Sequence, residues 1–559
     1  MGKTAAKRSS SAVVFLVLGI IALGFVCTAG ILIYAMLQGG ADRAAEAPAD
    51  RPGTLLVACS PEKKELFDEL VSGFNRQGFR GSSGSKLEIA ANCQEVESII
   101  EAAVQGEVDA VSPDSSIWLA EIDRRWQEEA GGEGALVGRS FRYAVSPVVI
   151  AAWEDVARSL GWPEQVSWEA LLNRARQDPD FKWSHPSTAT ASGLLATLAE
   201  FYAGAGKTRS LTAEDVQAQA TLDYVAALEK TVRYYGEGEL AVIQRAQREG
   251  PSFLDAFVVQ EQLVIQFNRQ RSGGPKLVAI YPQEGTLWED HPMVLIEHPD
   301  LMDLQRETFE RWRQYLLSAE TQRLILANGY RPADLTLPLG DPITAANGAD
   351  PAQPLTTLQI PGSDVIQVVR DAWWYTKRNT NVYLVVDTSG SMRGEKIARV
   401  QEALATFVQQ IRGDRERVGM VLFSTSVYNI LPVEELQGNR QTLLGEIDRL
   451  EASGETALLD GVNAAYVRLQ QLSDRERINA IVVMTDGQEN NSSIRERDLV
   501  RKIRAGNQSG VPVVIFCIAY GRDADYRALE AITEASGGQV REGTPETIRN
   551  LYKILSTYF

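Results

Sequence analysis

Asp387-Thr388-Ser389-Gly390-Ser391 sets one carboxylate and two hydroxyls at alternate positions, directly after the apolar run Val382-Tyr383-Leu384-Val385-Val386. At that spacing all three side chains can converge on one point. Hard oxygen ligands of mixed charge, with room left for water, are what Mg²⁺ prefers. An ion held by so few protein groups keeps a position for a carboxylate from another molecule. The competing reading is a Ser/Asp-rich turn that caps the next helix. Two further segments bear on the choice. Ala480-Ile481-Val482-Val483-Met484 is a second apolar run, ending in Thr485-Asp486-Gly487. Between the two lies Ser453-Gly454-Glu455-Thr456-Ala457, which enters a helix-like stretch from Leu458 to Leu469.

The elements that must position these residues follow from periodicity. Strands are predicted at 381–387, 417–423, 480–486 and 512–519, with a short antiparallel edge strand at 427–431. Helical stretches at 394–412, 440–450, 457–472, 494–505 and 525–536 alternate with them, and Pro545 to Tyr558 reads as a closing helix. All-apolar strands separated by amphipathic helices argue a doubly wound, Rossmann-like α/β sheet covered on both faces. In such sheets ligands bind beyond the carboxyl ends of the strands, where the strand order reverses. Asp387 and Asp486 each close a strand and therefore belong on that rim. An EF-hand reading fails, because Met392 stands where the turn glycine would be.

Asp-x-Ser-x-Ser, then a loop Thr, then an Asp closing a later strand, in that order, resembles the von Willebrand factor type A (VWA) domain over residues 378–559. The resemblance implies a metal-ion-dependent adhesion site. Ser389, Ser391 and Thr456 would offer hydroxyls, and Asp387 and Asp486 would act directly or through bound water. It implies a divalent cation, Mg²⁺ first with Mn²⁺ or Ca²⁺ as alternatives, and a protein partner that offers an Asp or Glu carboxylate.

Residues 53–335 carry another pattern. Leu55–Cys59 reads as a strand running into Ser60-Pro61 and a helix, since proline after serine is a helix-start signal. Val108–Val111 leads into Ser112-Pro113-Asp114-Ser115-Ser116; Phe141–Ala152 reads as one strand, and Ala256–Asn268 with Leu277–Tyr281 as a helix-strand segment. The strand-then-Ser-Pro opening, the hydroxyl-rich turn and the order of elements resemble the periplasmic or extracellular solute-binding proteins, with two α/β lobes around a cleft. Hydroxyls at helix N-termini suit an anionic solute, because free N–H groups and the helix dipole point there. Ser60, Ser112, Ser115, Ser116, Thr188, Thr190 and Ser192 are the cleft candidates, with plain N-capping as their other use. Cys59 and Cys93 each end an apolar strand. If those strands are parallel neighbours, a disulfide across their ends is geometrically open and an oxidising compartment permits it.

That compartment follows from the N-terminus. Ala12 to Leu37 is apolar and uncharged, long enough to cross a bilayer. Lys3, Lys7 and Arg8 precede it and Asp42, Glu46 and Asp50 follow, so residues 1–11 belong in the cytoplasm. The expected order is then a cytoplasmic tail (1–11), a transmembrane helix (12–37), a short linker (38–52), the solute-binding-like domain (53–335), a Pro-rich linker with a helix covering the next sheet (336–377), and the VWA domain (378–559). A cleaved signal peptide is the rival reading of the apolar run.

The net charge of -17 over 559 residues argues against a general nucleic-acid binder. Gly204-Ala205-Gly206-Lys207-Thr208 mimics the tail of a P-loop, but Phe201 replaces the leading glycine. His185, His291 and His298 have no metal spacing in sequence, and no nucleophile elbow occurs. The chain is expected to be no enzyme but a membrane-anchored extracytoplasmic binding protein. Its VWA domain would grip a protein through the cation, coupled to the solute-binding-like domain. The alternative is a solute receptor or sensor of a transport system whose VWA domain only docks another component.

Overall fold

In a computed structural model the chain forms a two-lobed α/β unit followed by a unit built on a single six-stranded sheet. The structure describes residues 53–549 and 552, except 129, 237, 414, 522, 523, 545 and 546. The expected membrane helix at 12–37 and most of the expected closing helix at 545–558 lie outside the described residues. Among the described residues no helix is long and apolar enough to cross a membrane.

The first lobe is a five-stranded sheet in the order β2 (Glu88–Cys93), β1 (Thr54–Cys59), β3 (Ala110–Ser112), β11 (Pro292–Ile296), β4 (Val137–Arg142). β1 and β2 are parallel and pair Cys59 directly with Cys93. The two cysteines form a disulfide with their Cα atoms 4.2 Å apart. The second lobe has the order β10 (Trp288–Glu289), β5 (Ala144–Trp153), β8 (Ala256–Gln260), β6 (Trp183–Pro186), β7 (Val232–Gly236). β9 (Leu277–Ile280) and β12 (Arg331–Pro332) also pair with β5.

Two element assignments change. The run read as one strand over 141–152 divides at Tyr143, where β4 leaves one sheet and β5 enters the other. Residues 256–260 form a strand and not the start of a helix. Ala-Phe-Val-Val-Gln is apolar and β-rich, all five residues are buried, and the helix begins only at Glu261.

The segment expected as a Pro-rich linker from 336 is folded onto the second lobe. Ile343 and Ala349 bury against Ile265, and the Leu358 N–H donates to the Thr286 carbonyl at 3.0 Å. These apolar residues between the prolines supply a face that a solvated linker would lack. The helix that follows, Ser363–Thr376, does not cover the next sheet as expected. It packs on the second-lobe helices Ala191–Ala205, Ala213–Gln217 and Gln219–Glu229. Its buried Val365, Val369 and Trp373 recur every four residues, which puts them on one face toward those helices. Trp373 meets the Tyr235 ring edge-on at 5.1 Å, while Tyr375 is exposed.

The C-terminal unit is one six-stranded sheet in the order β15 (Val427–Glu435), β14 (Arg417–Phe423), β13 (Thr380–Asp387), β16 (Ile478–Thr485), β17 (Val513–Tyr520), β18 (Val540–Gly543). Only the edge strand β15 runs antiparallel. Side chains alternate across β13: Val382, Leu384 and Val386 enter one helix-covered layer, and Tyr383 and Val385 enter the other. Burial on both faces explains the unbroken apolar runs. β18 was not anticipated. Its sequence Val-Arg-Glu-Gly has no apolar run, and only backbone pairing with β17 makes it a strand.

The two units meet at the amino ends of these strands. The Arg378 N–H donates to the Tyr235 hydroxyl at 2.8 Å, and its guanidinium reaches the Val232 carbonyl at 2.9 Å. Beside it, Lys377 and Glu416 form a fully buried ion pair at 2.7 Å. The other Glu416 oxygen accepts from the Thr380 N–H at 2.6 Å, and Lys377 sits 5.3 Å from the Trp374 ring centre. Removing one partner of such a pair leaves an uncompensated buried charge, at a cost of about 3–5 kcal/mol. Glu416→Ala should therefore destabilise by about that much in urea unfolding, whereas Lys377→Met combined with Glu416→Leu should recover most of the loss. A Glu416→Ala effect below about 1 kcal/mol would contradict this account of the joint.

Candidate metal centre and cleft

β13 and β16 are direct neighbours, so the residues that close them are brought side by side. Asp387 ends β13 with no exposed surface, and Asp486, equally buried, follows β16. One Asp387 oxygen accepts from the Ser389 N–H at 2.8 Å, and the other accepts from the Thr485 hydroxyl. The Ser389 and Ser391 hydroxyl oxygens lie 2.9 Å apart, and Ser391 donates to Asp486 at 2.6 Å.

Thr456 comes from the intervening loop. That loop is laced to the first by Gly390 N–H to Gly454 O (2.9 Å) and Ser453 N–H to Thr388 O (2.8 Å). The Thr456 N–H is held by Asn490 at 2.9 Å. A Cβ on Gly487 would meet the Thr456 Oγ1 at 2.9 Å and the Ser391 Oγ at 3.5 Å. All five residues singled out by spacing thus face one small cradle. Two carboxylates and three hydroxyls form the oxygen-only, mixed-charge set that suits a hard divalent cation. The bare glycine keeps that space open.

Burial pushes the Asp387 carboxyl up to about 6, against hydrogen bonds from Thr485 and Ser389 that favour the anion, and Asp486 adds to the rise. Periodicity did not reveal Lys396, whose ammonium pairs with Asp486. It lies in the first turn of the helix Glu395–Gln410 and looks like an ordinary surface lysine in sequence.

The second site is the cleft between the lobes, a cavity of about 390 Å³. Of the seven hydroxyl candidates, Ser60, Thr190 and Ser192 line it. Ser112 is buried beneath it, accepting from the Lys63 ammonium at 3.0 Å and bonded to the Tyr143 hydroxyl. Ser115 caps the short helix at Ile117, the Ser116 N–H goes to Asp290, and Thr188 is buried away from the lining. Thr190 itself caps Gly193 at 3.2 Å. Capping, the alternative use of these residues, therefore takes Ser115 and Thr190.

The expectation of an anionic solute does not fit the walls. Glu62, Asp114 and Glu239 line the cleft, and Glu289 lies within reach of the first two. Burial, then repulsion by Glu62, pushes Asp114 up to about 7. Glu239 and Glu289 are raised well above the carboxylate range, burial first and neighbouring acids next. Burial lowers Lys63 to about 8, opposed by Glu62 and Asp114. Glu62 and Asp114 sit inside the Ser-Pro segments already singled out, each two residues beyond a chosen hydroxyl, Ser60 and Ser112. Glu239 and Glu289 carry no local pattern and are found only through the fold.

Any side chain at Gly487 crowds the hydroxyls of the rim cradle. Gly487→Ala should weaken Mg²⁺ or Mn²⁺ binding at least tenfold by calorimetric titration while leaving the circular dichroism spectrum unchanged. Wild-type affinity in this variant would show that the cradle lies elsewhere.

Two family descriptions match this chain. Residues 55–331 match the model of bacterial extracellular solute-binding proteins, and residues 381–552 match that of the von Willebrand factor type A domain. Inter-alpha-trypsin inhibitor heavy chain H4 of Sus scrofa is 31% identical over 170 residues, 29% of this chain and 18% of the relative. This chain thus spans less than a fifth of that relative's length. A solved von Willebrand factor type A structure from Catenulispora acidiphila is 21% identical with a TM-score of 0.29, covering 32% of this chain and 42% of the other. A solved ABC transporter structure from Clostridium perfringens ATCC 13124 is 14% identical with a TM-score of 0.38, covering 58% and 98%. The chain joins, in order, a domain of the bacterial extracellular solute-binding protein family and a von Willebrand factor type A domain.

Proposed function

We propose that this protein is an extracytoplasmic binding protein, anchored by its N-terminal apolar segment, whose VWA domain docks a protein partner through a divalent cation. The observation that carries the reading is the convergence of Asp387, Ser389, Ser391, Thr456 and Asp486, from three separate segments, on one oxygen-lined cradle. When bound, the cation supplies a coordination position for a carboxylate oxygen of the partner. The chain's own residues do the rest. Asp387 and Asp486 balance the charge, the hydroxyls of Ser389, Ser391 and Thr456 shape the cradle, and Gly487 leaves it accessible.

The middle domain captures a small solute in this reading, and the VWA domain is built to share in that event. Gln539 and, from β18, Val540, Arg541 and Glu542 wall the inter-lobe cleft, and Arg541 faces Glu95 of the first lobe at 3.8 Å. The joint lies at the amino ends of the sheet strands and the rim at their carboxyl ends. The eight residues of β13 connect the two over about 23 Å. β18, which walls the cleft, pairs with the carboxyl half of β17 and so ends level with the rim. This arrangement also favours the second reading, a solute sensor whose VWA domain reports occupancy to another component.

The test is a pull-down from a membrane extract of the source cells, with the full chain immobilised and bound proteins identified. Wild type should retain a partner with Mg²⁺ and release it with EDTA, and Asp387→Ala should retain none while keeping the wild-type spectrum. The same partner on Asp387→Ala in Mg²⁺, or on wild type in EDTA, would refute metal-mediated docking.

A further inference from the structure

We infer that the inter-lobe cleft is a second cation site, in which Glu62, Asp114 and Glu289 take up a divalent metal ion with Glu239 beside them. This rests on the reading of the middle domain as a capture domain and names its solute as a metal cation.

The carboxylate oxygens of Glu62, Asp114 and Glu289 lie within 4.8 Å of one another. Oxygen ligands stand about 2.3–2.6 Å from a Ca²⁺ ion, so two on opposite sides are about 5 Å apart. The triad thus has the span of a single coordination sphere. The ligands are all oxygen, which favours Ca²⁺, Mn²⁺ or Mg²⁺ over softer metals.

The orphaned groups point independently to a missing cation. Glu289 has no exposed surface, and neither of its carboxylate oxygens has a hydrogen-bond partner. Glu239 is 7% exposed and lines the cavity together with Glu62 and Asp114. One of its oxygens accepts from Gln260 at 2.9 Å, and the other has no partner. Buried carboxylates left unpaired are costly unless a cation joins them. The nearby Lys63 favours the ionised form of Glu289 from a distance but gives it no hydrogen bond. Its ammonium donates to the Ser112 carbonyl (2.6 Å), the Ser112 hydroxyl (3.0 Å) and the Pro113 carbonyl (2.7 Å).

Both lobes contribute. Glu62 and Asp114 follow β1 and β3 of the first sheet, whereas Glu289 lies in β10 of the second. An ion here ties the lobes together. An organic ammonium is the less suitable occupant, because such cations are recognised on aromatic faces and no aromatic residue lines the cavity among the described residues.

The experiment is Mn²⁺ equilibrium dialysis with the full chain in detergent, free ion being read by electron paramagnetic resonance. Wild type should bind two equivalents, Asp387→Ala one, Glu289→Gln one, and the double variant none. Should Glu289→Gln lose its cooperative thermal melt, Glu62→Gln at a partly exposed position should show the same loss of one equivalent. Unchanged Mn²⁺ uptake in Glu289→Gln or Glu62→Gln with normal melts would overturn the proposal. Uptake of the diamine putrescine that Glu289→Gln abolishes, without a second Mn²⁺ equivalent in wild type, would also overturn it. Loss of the rim equivalent alone would sink the VWA docking mechanism and leave the cleft assignment standing.

Discussion

The pairing of β13 between β14 and β16 is the constraint on which the candidate metal centre depends. Strand β14 follows β13 in sequence, while β16 lies about a hundred residues away from it, so the chain changes direction of travel across the sheet at this point. Parallel register then sets Asp387 and Asp486 beside each other, with the intervening Thr456 loop hydrogen-bonded across the gap. The crevice exists because the helices after β13 and β16 leave on opposite faces of the sheet. Two carboxylates buried side by side would repel; hydroxyl donors and Lys396 act against that repulsion, as a divalent cation held there would.

The same strand carries the mechanical link. Its amino end is fixed by Thr380 on the buried Lys377–Glu416 pair, and its carboxyl end forms the rim. The helix Ser363–Thr376 belongs to the middle domain by packing, yet leads directly into β13, so the two units share a core at Tyr235, Trp373 and Lys377. With β18 walling the inter-lobe cleft, the VWA domain touches the middle domain both at the joint and at the cleft. The cleft wall and the cradle are thereby parts of one sheet, β18 pairing with the carboxyl half of β17.

The legible parts of this architecture were those with a strong local cause. The apolar strands β13, β14, β16 and β17 are buried on both faces, so their sequences have no polar interruption, and the rim residues occupy a tight ordered spacing. Cys59 and Cys93 were readable as strand-end neighbours. What sequence reasoning missed depends on the fold at long range. Val540–Gly543 is a strand only because β17 offers it an edge. The proline-rich segment after 336 reads as a linker, although Ile343, Ala349 and Leu358 anchor it. In the cleft, attention went to hydroxyls beside helix starts, whereas the decisive groups are the acids next to them and Glu239 and Glu289 from distant segments. Their meaning lies in burial without partners, which no local pattern encodes.

The most direct measurement is anomalous diffraction from crystals of the protein soaked in Mn²⁺. The account predicts a peak at the strand ends, within coordination distance of the Ser389, Ser391 and Thr456 hydroxyl oxygens, and absent from Asp387→Ala crystals. A rim without a peak at saturating Mn²⁺, with Lys396 still seated on Asp486, would contradict it.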